Sequence, residues 1–420
     1  MICSKVWRAV SPILTLNRLC VYQSAKFSSS KSPAFSNELK IIDPTERPSY
    51  EVYKVLGTNG TIEGDESYFA QVDNETNIRM YKTMVTLNEM DKVMYESQRQ
   101  GRISFYMTSS GEEGSHVGSA AALDPEDLVY AQYRETGVLM WRGFSVEQMI
   151  DQLYGNIGSS DKGKQMPVHY GSRQHHFVTI SSPLATQLPQ AVGSAYAYKL
   201  KKNEKVVIVY FGEGAASEGD AFSALNFAST LDCPVIFFCR NNGYAISTPA
   251  SEQYGGDGIA ARGFGLGISA IRVDGNDVCA VYNATKKARE YVLSKKQKEK
   301  VVPKLYFRIG HHSTSDDSTA YRSKSEVQEY EINNNPILRF KTLLFKKKLW
   351  SEEQDEQLKK ESKQLVLNSI RISEKKLKPS WKEMFEDVYH EMPPHIRDQM
   401  KEVEDHLKIY KDHYPLKNHA

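Results

Sequence analysis

Two short stretches carry the residue types that could bind a phosphate-bearing cofactor: Gly212-Glu213-Gly214 and, after an interval of 26 residues (215–240), Asn241-Asn242. Glu213 and Asn242 offer hard oxygens of the kind Mg²⁺ selects in company with phosphate oxygens. The glycines allow a ligand to approach the backbone, and a helix beginning just after them would turn its N-terminal amides to an anion. A metal-bridged diphosphate is the chemistry this set suggests. Two commoner phosphate motifs do not fit. A dinucleotide fingerprint needs glycine three places after Gly214, where Ser217 stands. The Gly214…Gly219 spacing of a P-loop is followed by Asp220 and not by lysine.

The elements around these stretches place them together. Residues 206–211 (VVIVYF) form a continuous apolar, β-branched run, the pattern of a parallel strand buried on both faces. From about Ser217 to Leu231, Phe222, Leu225, Phe227 and Ala228 fall mostly at helical spacing, and residues 235–239 read as a second buried strand. The result is a βαβ unit whose two polar turns lie at the carboxyl ends of parallel strands, where open α/β sheets bind ligands.

GEGAASEGD (212–220) and RNNGYAIST (240–248) resemble the alpha subunits of the thiamine-diphosphate-dependent 2-oxo acid dehydrogenases, the branched-chain branch above all. The general thiamine diphosphate signature opens on GDG; glutamate here keeps the carboxylate and lengthens its reach. The resemblance continues through GEEGSHVGSAAAL (111–123), SSPLATQ (181–187), GHHSTSDD (310–317) and MFEDVYHEMPP (384–394), and covers nearly the whole chain after about residue 45. It implies that Tyr133, Arg134, Ser182, Leu184, Gly212, Gly214, Ala215, Arg240, Ile246 and His312 contact thiamine diphosphate. His312 would also meet the reacting substrate, as the catalytic residue. It implies Mg²⁺ on Glu213, Asn242 and Tyr244, and a structural K⁺ on Ser181, Pro183, Thr186 and Gln187. Ser313 and Ser323 match the phosphorylation sites of a dedicated kinase, which a phosphatase would oppose.

The rest of the chain frames this centre. Residues 1–35 carry Lys5, Arg8, Arg18, Lys26 and Lys31 with no acidic residue before Glu38, the composition of a mitochondrial presequence and hence of a matrix protein. From 36 to 76, prolines and scattered glycines suggest an extended arm. Residues 77–100 should form an amphipathic helix with Met80, Met84, Leu87, Met90 and Met94 on its buried stripe. His116 reads as a hydrogen-bonded structural histidine. Ser182-Pro183 has the chemistry of a helix start. The Gly-rich run 251–268 reads as a long loop, 270–290 as strand, turn and helix, and 305–310 as a strand ending at His311-His312. No third ligand at useful spacing supports a metal on those two histidines. The segment 313–323 reads as a polar loop of marginal local stability, and Ser351 opens a Lys/Glu-rich helix with a capping box. Cys233, Cys239 and Cys279 have neither metal nor disulfide-framework spacing and read as buried thiols.

With 54 basic and 52 acidic residues the net charge is +2, which argues for neither nucleic acid nor an anionic membrane as partner. No apolar run approaches the length of a membrane span. The fold expected is α/β, a thiamine diphosphate-binding domain over 77–330 with a mostly parallel sheet flanked by helices, followed by a helical region over 331–420. The latter, about ninety residues, is too short for the second α/β domain such enzymes need. The resemblance implies that a beta subunit supplies it in an α₂β₂ tetramer, and that the acyl group passes to the lipoyl-bearing transacylase core. A pyruvate-type alpha chain and an inactive regulatory paralogue are the alternatives. The first reads GDG, and the second would have lost at least one of Glu213, Asn242, Arg134 and His312.

Overall fold

The computed structural model describes residues 35–41, 43, 49–64, 71–294 and 312–420. The basic segment 1–34, the run 305–310 expected as a strand and His311 lie outside them. Two units are distinguished. In the first, Met1–Glu46, the described residues are exposed and form neither helix nor strand.

The second unit, Arg47–Ala420, opens with β1 (Val52–Tyr53) and α1 (Asn74–Arg99). Asp73 caps α1, its carboxylate accepting from the Thr76 amide at 2.7 Å. All five residues of the expected stripe, from Met80 to Met94, are fully buried. There follow α2 (Glu113–Ala121), β2 (Leu128–Tyr130), α3 (Thr136–Trp141), α4 (Val146–Tyr154) and β3 (Phe177–Val178). Next come α5 (Gln187–Leu200), β4 (Val207–Gly212), α6 (Gly219–Thr230) and β5 (Val235–Arg240).

Four of the strands form one parallel sheet in the order β3-β2-β4-β5. Because successive side chains point to opposite faces, β4 and β5 feed two cores at once. Ile208, Tyr210, Ile236 and Phe238 enter one; Val207, Val209, Phe211, Val235, Phe237 and Cys239 enter the other. That double burial explains why both strands read as unbroken apolar runs.

Beyond β5 lie β6 (Tyr244–Ala245) and β7 (Thr248–Pro249), which form an antiparallel pair, then α7 (Ala250–Gln253), α8 (Gly258–Gly265), β8 (Arg272–Val273) and α9 (Val278–Leu293). β8 pairs in parallel with β1. The segment 52–56 is fastened there, since Asp277 Oδ2 accepts from the Val55 and Leu56 amides at 2.7 and 2.6 Å. The C-terminal region contributes α10 (Lys324–Asn333), α11 (Pro336–Lys346), α12 (Glu352–Ser373) and α13 (Pro394–Ile409). α11 and α12 pack on α1 and bring Phe340, Leu343, Leu344, Val366 and Ile370 into the first of the two cores. Both arms of the capping box at Ser351 are present, at 2.9 and 3.3 Å. No described helix is long and apolar enough to cross a membrane.

Two local expectations are corrected. The helix after SSPLATQ begins at Gln187, not at Ser182-Pro183. Ala185 holds a φ of +67°, which a helix cannot accommodate, and the Thr186 hydroxyl donates to the Pro183 carbonyl at 3.0 Å to close a turn instead. The Gly-rich run 251–268 is mostly helical, containing the end of α7 and all of α8. Ile259, Ala260 and Gly263 of α8 are buried, and a Cβ on Gly263 would lie 2.7 Å from the Ile268 carbonyl oxygen. Close packing there outweighs the poor helix propensity of glycine. On α6 the buried positions are Ala221, Ala224, Leu225 and Ala228, whereas Phe222 and Phe227 are exposed.

Candidate active site

The carboxyl ends of β2, β4 and β5 run into turns that enclose a cavity of about 230 Å³. The register sets its geometry. Gly212 pairs with Arg240 at the last rung of the β4–β5 ladder, so Glu213 and Asn242 emerge one and two residues beyond the same rung. A Cβ on Gly214 would lie 2.8 Å from the Ala245 Cβ. The two turns therefore touch at a point where only glycine fits.

Glu213 is 1% exposed and Asn242 8%, and both line the cavity together with Tyr244. Asn242 Oδ1 accepts from the Tyr244 amide at 3.1 Å, and its Nδ2 donates to Glu112 Oε1 at 3.3 Å. A carboxylate and an amide oxygen beside a cluster of guanidinium groups form a donor set that suits Mg²⁺ and phosphate together. Gly212, Gly214, Ala215, Leu184 and Ile246 complete the apolar and backbone wall.

The cations are Arg134 and Arg240, 1% and 2% exposed. An arginine at a turn is ordinarily solvated; these two are held by a buried network. Arg134 Nη1 donates to the Thr108 carbonyl at 2.7 Å, and its Nη2 donates to the His312 carbonyl and lies 3.3 Å from His312 Nδ1. Arg240 Nη1 donates to Glu112 Oε2 at 2.7 Å, and its Nε pairs with Glu135. Glu135 Oε2 in turn accepts from the Gln132 and Tyr133 amides at 2.9 and 3.0 Å. Burial pushes the Glu112 carboxyl up, but Arg240, His116 and Arg134 outweigh it and hold it well below the usual carboxylate range. Tyr133 gathers the group: its ring stands edge-on to His312 with centroids 6.1 Å apart, and the Arg134 and Arg240 guanidinium carbons lie 5.6 and 5.9 Å from it.

Of the residues expected around the cofactor, Ser182 alone does not line this cavity. It is exposed, and its hydroxyl lies 2.8 Å from His169 Nε2. Among the residues expected to hold K⁺, Pro183 and Thr186 share the turn described above, and Gln187 Nε2 donates to the carbonyl of Tyr210 in β4 at 3.0 Å. His312 is fixed by its own amide, which donates to Asp316 Oδ2 at 2.7 Å. The following loop is irregular, as expected, but anchored: Thr314 is fully buried and bonds the Tyr106 carbonyl through its amide at 3.2 Å and its hydroxyl at 3.0 Å. Ser313 is buried; Ser323 is exposed and caps α10, accepting from the Glu326 amide at 3.1 Å. His116, expected as structural, is fully buried 3.4 Å from Glu112.

Sequence reasoning did not find Gln132, Glu112 and Glu135. Gln132 Oε1 accepts from the Gly212 amide at 2.7 Å, tying the end of β2 to the end of β4. For Glu112 the one available signal was an adjacent pair of acids inside the otherwise small and apolar run 111–123.

Residues 81–382 match the family described as "Dehydrogenase E1 component". The chain is 54% identical over 400 residues to the mitochondrial 2-oxoisovalerate dehydrogenase subunit alpha of Caenorhabditis elegans, covering 95% of this chain and 92% of the relative. To the human protein of the same name it is 54% identical over 385 residues, covering 92% and 86%. To that of Dictyostelium discoideum it is 51% identical over 367 residues, covering 86% and 83%.

Proposed function

Because the chain belongs to the dehydrogenase E1 component family, we propose that its cavity binds thiamine diphosphate through a Mg²⁺ ion held by Glu213, Asn242 and Tyr244. The family is thiamine diphosphate-dependent. The chain's function is that of the alpha subunit in the decarboxylating component of a branched-chain 2-oxo acid dehydrogenase complex, a mitochondrial oxidoreductase with a beta subunit as partner. When bound, thiamine diphosphate supplies the nucleophilic carbon that meets the 2-oxo group and takes up the electron pair released on decarboxylation.

This chain's residues bind, orient and shield. Arg134 and Arg240 meet the diphosphate with charge already buried and oriented, so no reorganisation is needed on binding. Leu184 and Ile246 keep water from the reacting end. His312, held by Arg134 and Asp316, stands where a proton on the substrate oxygen or carboxylate can be met. Ser181, Pro183, Thr186 and Gln187 would hold K⁺, which would stiffen the turn that carries Leu184. The acyl group leaves on the lipoyl arm of the transacylase core, and a kinase and phosphatase acting at Ser313 and Ser323 set the fraction of active enzyme.

One observation carries the metal reading: the Gly212–Arg240 rung brings Glu213 and Asn242 side by side against two buried guanidinium groups. Calorimetry of thiamine diphosphate binding to the assembled protein, with and without Mg²⁺, tests it. Glu213→Ala is expected to abolish Mg²⁺-dependent binding, and Asn242→Ala to weaken it less, a neutral ligand contributing less than a carboxylate. Unchanged affinity in Glu213→Ala removes the metal assignment.

A further inference from the structure

Glu112 is the residue before the first turn of α2 and is completely buried. Its two oxygens serve different parts of the cavity wall. Oε2 accepts from Arg240 Nη1 at 2.7 Å and stands 3.4 Å from His116 Nε2; Oε1 accepts from Asn242 Nδ2 at 3.3 Å and lies 4.0 Å from Arg134 Nε. An ionised carboxylate donates nothing, so it can hold only the NH₂ end of the Asn242 amide. The oxygen end is thereby fixed on the other side, where it accepts the Tyr244 amide at 3.1 Å and keeps a second lone pair. We propose that Glu112 is the positioning residue of the metal site: it sets the sense of the Asn242 amide so that oxygen, not nitrogen, is offered to Mg²⁺. The inference rests on the metal reading above.

Charge and orientation differ in what they depend on. Removing an anion strengthens binding of the diphosphate and weakens that of the cation, whatever side chain stands at 242. Loss of orientation weakens cation binding, because an amide free to turn offers its NH₂ to the cation.

The test is the Mg²⁺ concentration that gives half-maximal thiamine diphosphate binding to the protein assembled with its beta subunit. Glu112→Gln can donate to the amide oxygen and turn it; it is expected to raise that concentration about tenfold, but less than about twofold in an Asn242→Ala background, since residues acting through one another are non-additive. No rise, or an equal rise in both backgrounds, overturns the proposal. If Asn242→Ala by itself leaves the Mg²⁺ dependence unchanged, the metal reading fails and takes this inference with it. Asn242→Asp gives a second route. A carboxylate offers oxygen on either side and needs no orienting, so loss of Mg²⁺ affinity in Asn242→Asp is expected to be smaller than in Asn242→Ala, and Glu112→Gln should shift it by less than about twofold there. A tenfold shift by Glu112→Gln in the Asn242→Asp background overturns the proposal.

Discussion

Ile246 holds a backbone conformation that its own side chain opposes. Its φ is +59°, a region that β-branched residues avoid, at a cost on the order of 1–3 kcal/mol. The side chain is 55% exposed, so packing offsets little of that cost, yet it lines the cavity beside Glu213 and Asn242. Ile246→Gly should therefore leave the melting temperature of the protein unchanged or raised, as relief of strain meets a loss of about 0.5–1 kcal/mol from the freer unfolded chain. Thiamine diphosphate affinity should fall in the same variant. Parallel losses of both would mean that Ile246 is simply a packing residue. At this scale the sequence was informative where chemistry is local. Glu213, Arg240 and Asn242 sit in two short stretches joined by one βαβ unit, so their meeting could be read directly. Glu112 could not be read that way, because its partners Arg240 and Asn242 lie 128 and 130 residues further along the chain. The burial of Arg134 was hidden for the same reason, its bond to His312 spanning 178 residues.

Among the elements, the loop from His312 to Ser323 and the α1–α2 pair each carry a prediction. Ser313 is buried beside the anchors of its loop, Thr314 on Tyr106 and the His312 amide on Asp316. A carboxylate there has no room to stay solvated, and burying it unpaired is costlier than opening the loop. Ser313→Glu is expected to lower decarboxylase activity more than tenfold, with sedimentation of the assembled protein unchanged. Ser323 caps α10, where negative charge suits the helix terminus, so activity in Ser323→Glu should stay within about twofold of wild type. Full activity in Ser313→Glu would count against a charge-driven switch.

Between α1 and α2, burial pushes the Glu113 carboxyl up to about 8 and that of Asp91 up to about 7. An unfolded carboxyl titrates near 4. The folded protein thus keeps protons that the unfolded chain releases, so these groups favour folding most fully below about pH 4, and their contribution is lost as pH rises toward 8. Glu113→Gln should show a smaller drop in urea midpoint between pH 5.5 and 8.5 than wild type; equal drops would contradict the burial argument. The elements themselves were legible wherever periodicity was strong, as in α1, β4 and β5. They were not legible at 182–187 and 251–268. There Ala185 in a left-handed conformation and the close packing of α8 override what proline, serine and glycine suggest locally.

For the molecule as a whole, the decisive fact is how much of an active site one chain supplies. The cavity is lined by Glu213, Asn242, two buried arginines and His312. Among the described residues, everything after 323 is helix, turn and loop apart from one isolated bridge between Lys378 and His419, with no second parallel sheet to carry further catalytic groups. The chain by itself should show no 2-oxo acid decarboxylation in the presence of thiamine diphosphate and Mg²⁺, and co-expression with the beta subunit should restore it, with branched-chain acids turned over ahead of pyruvate. Activity of the isolated chain would contradict the two-chain site. The exposed phenylalanines of α6 carry a further consequence, one of supply. Phe222 and Phe227, like Leu200, Leu184 and Ile246, leave large apolar side chains open to water in the lone chain. Such a surface invites self-association and attack by proteases. Copies synthesised beyond the number of available beta subunits would be the first to be cleared. The amount of working enzyme in a cell would then be set by whichever of the two genes is expressed less, and raising the dose of this one alone would add turnover of protein without adding turnover of substrate.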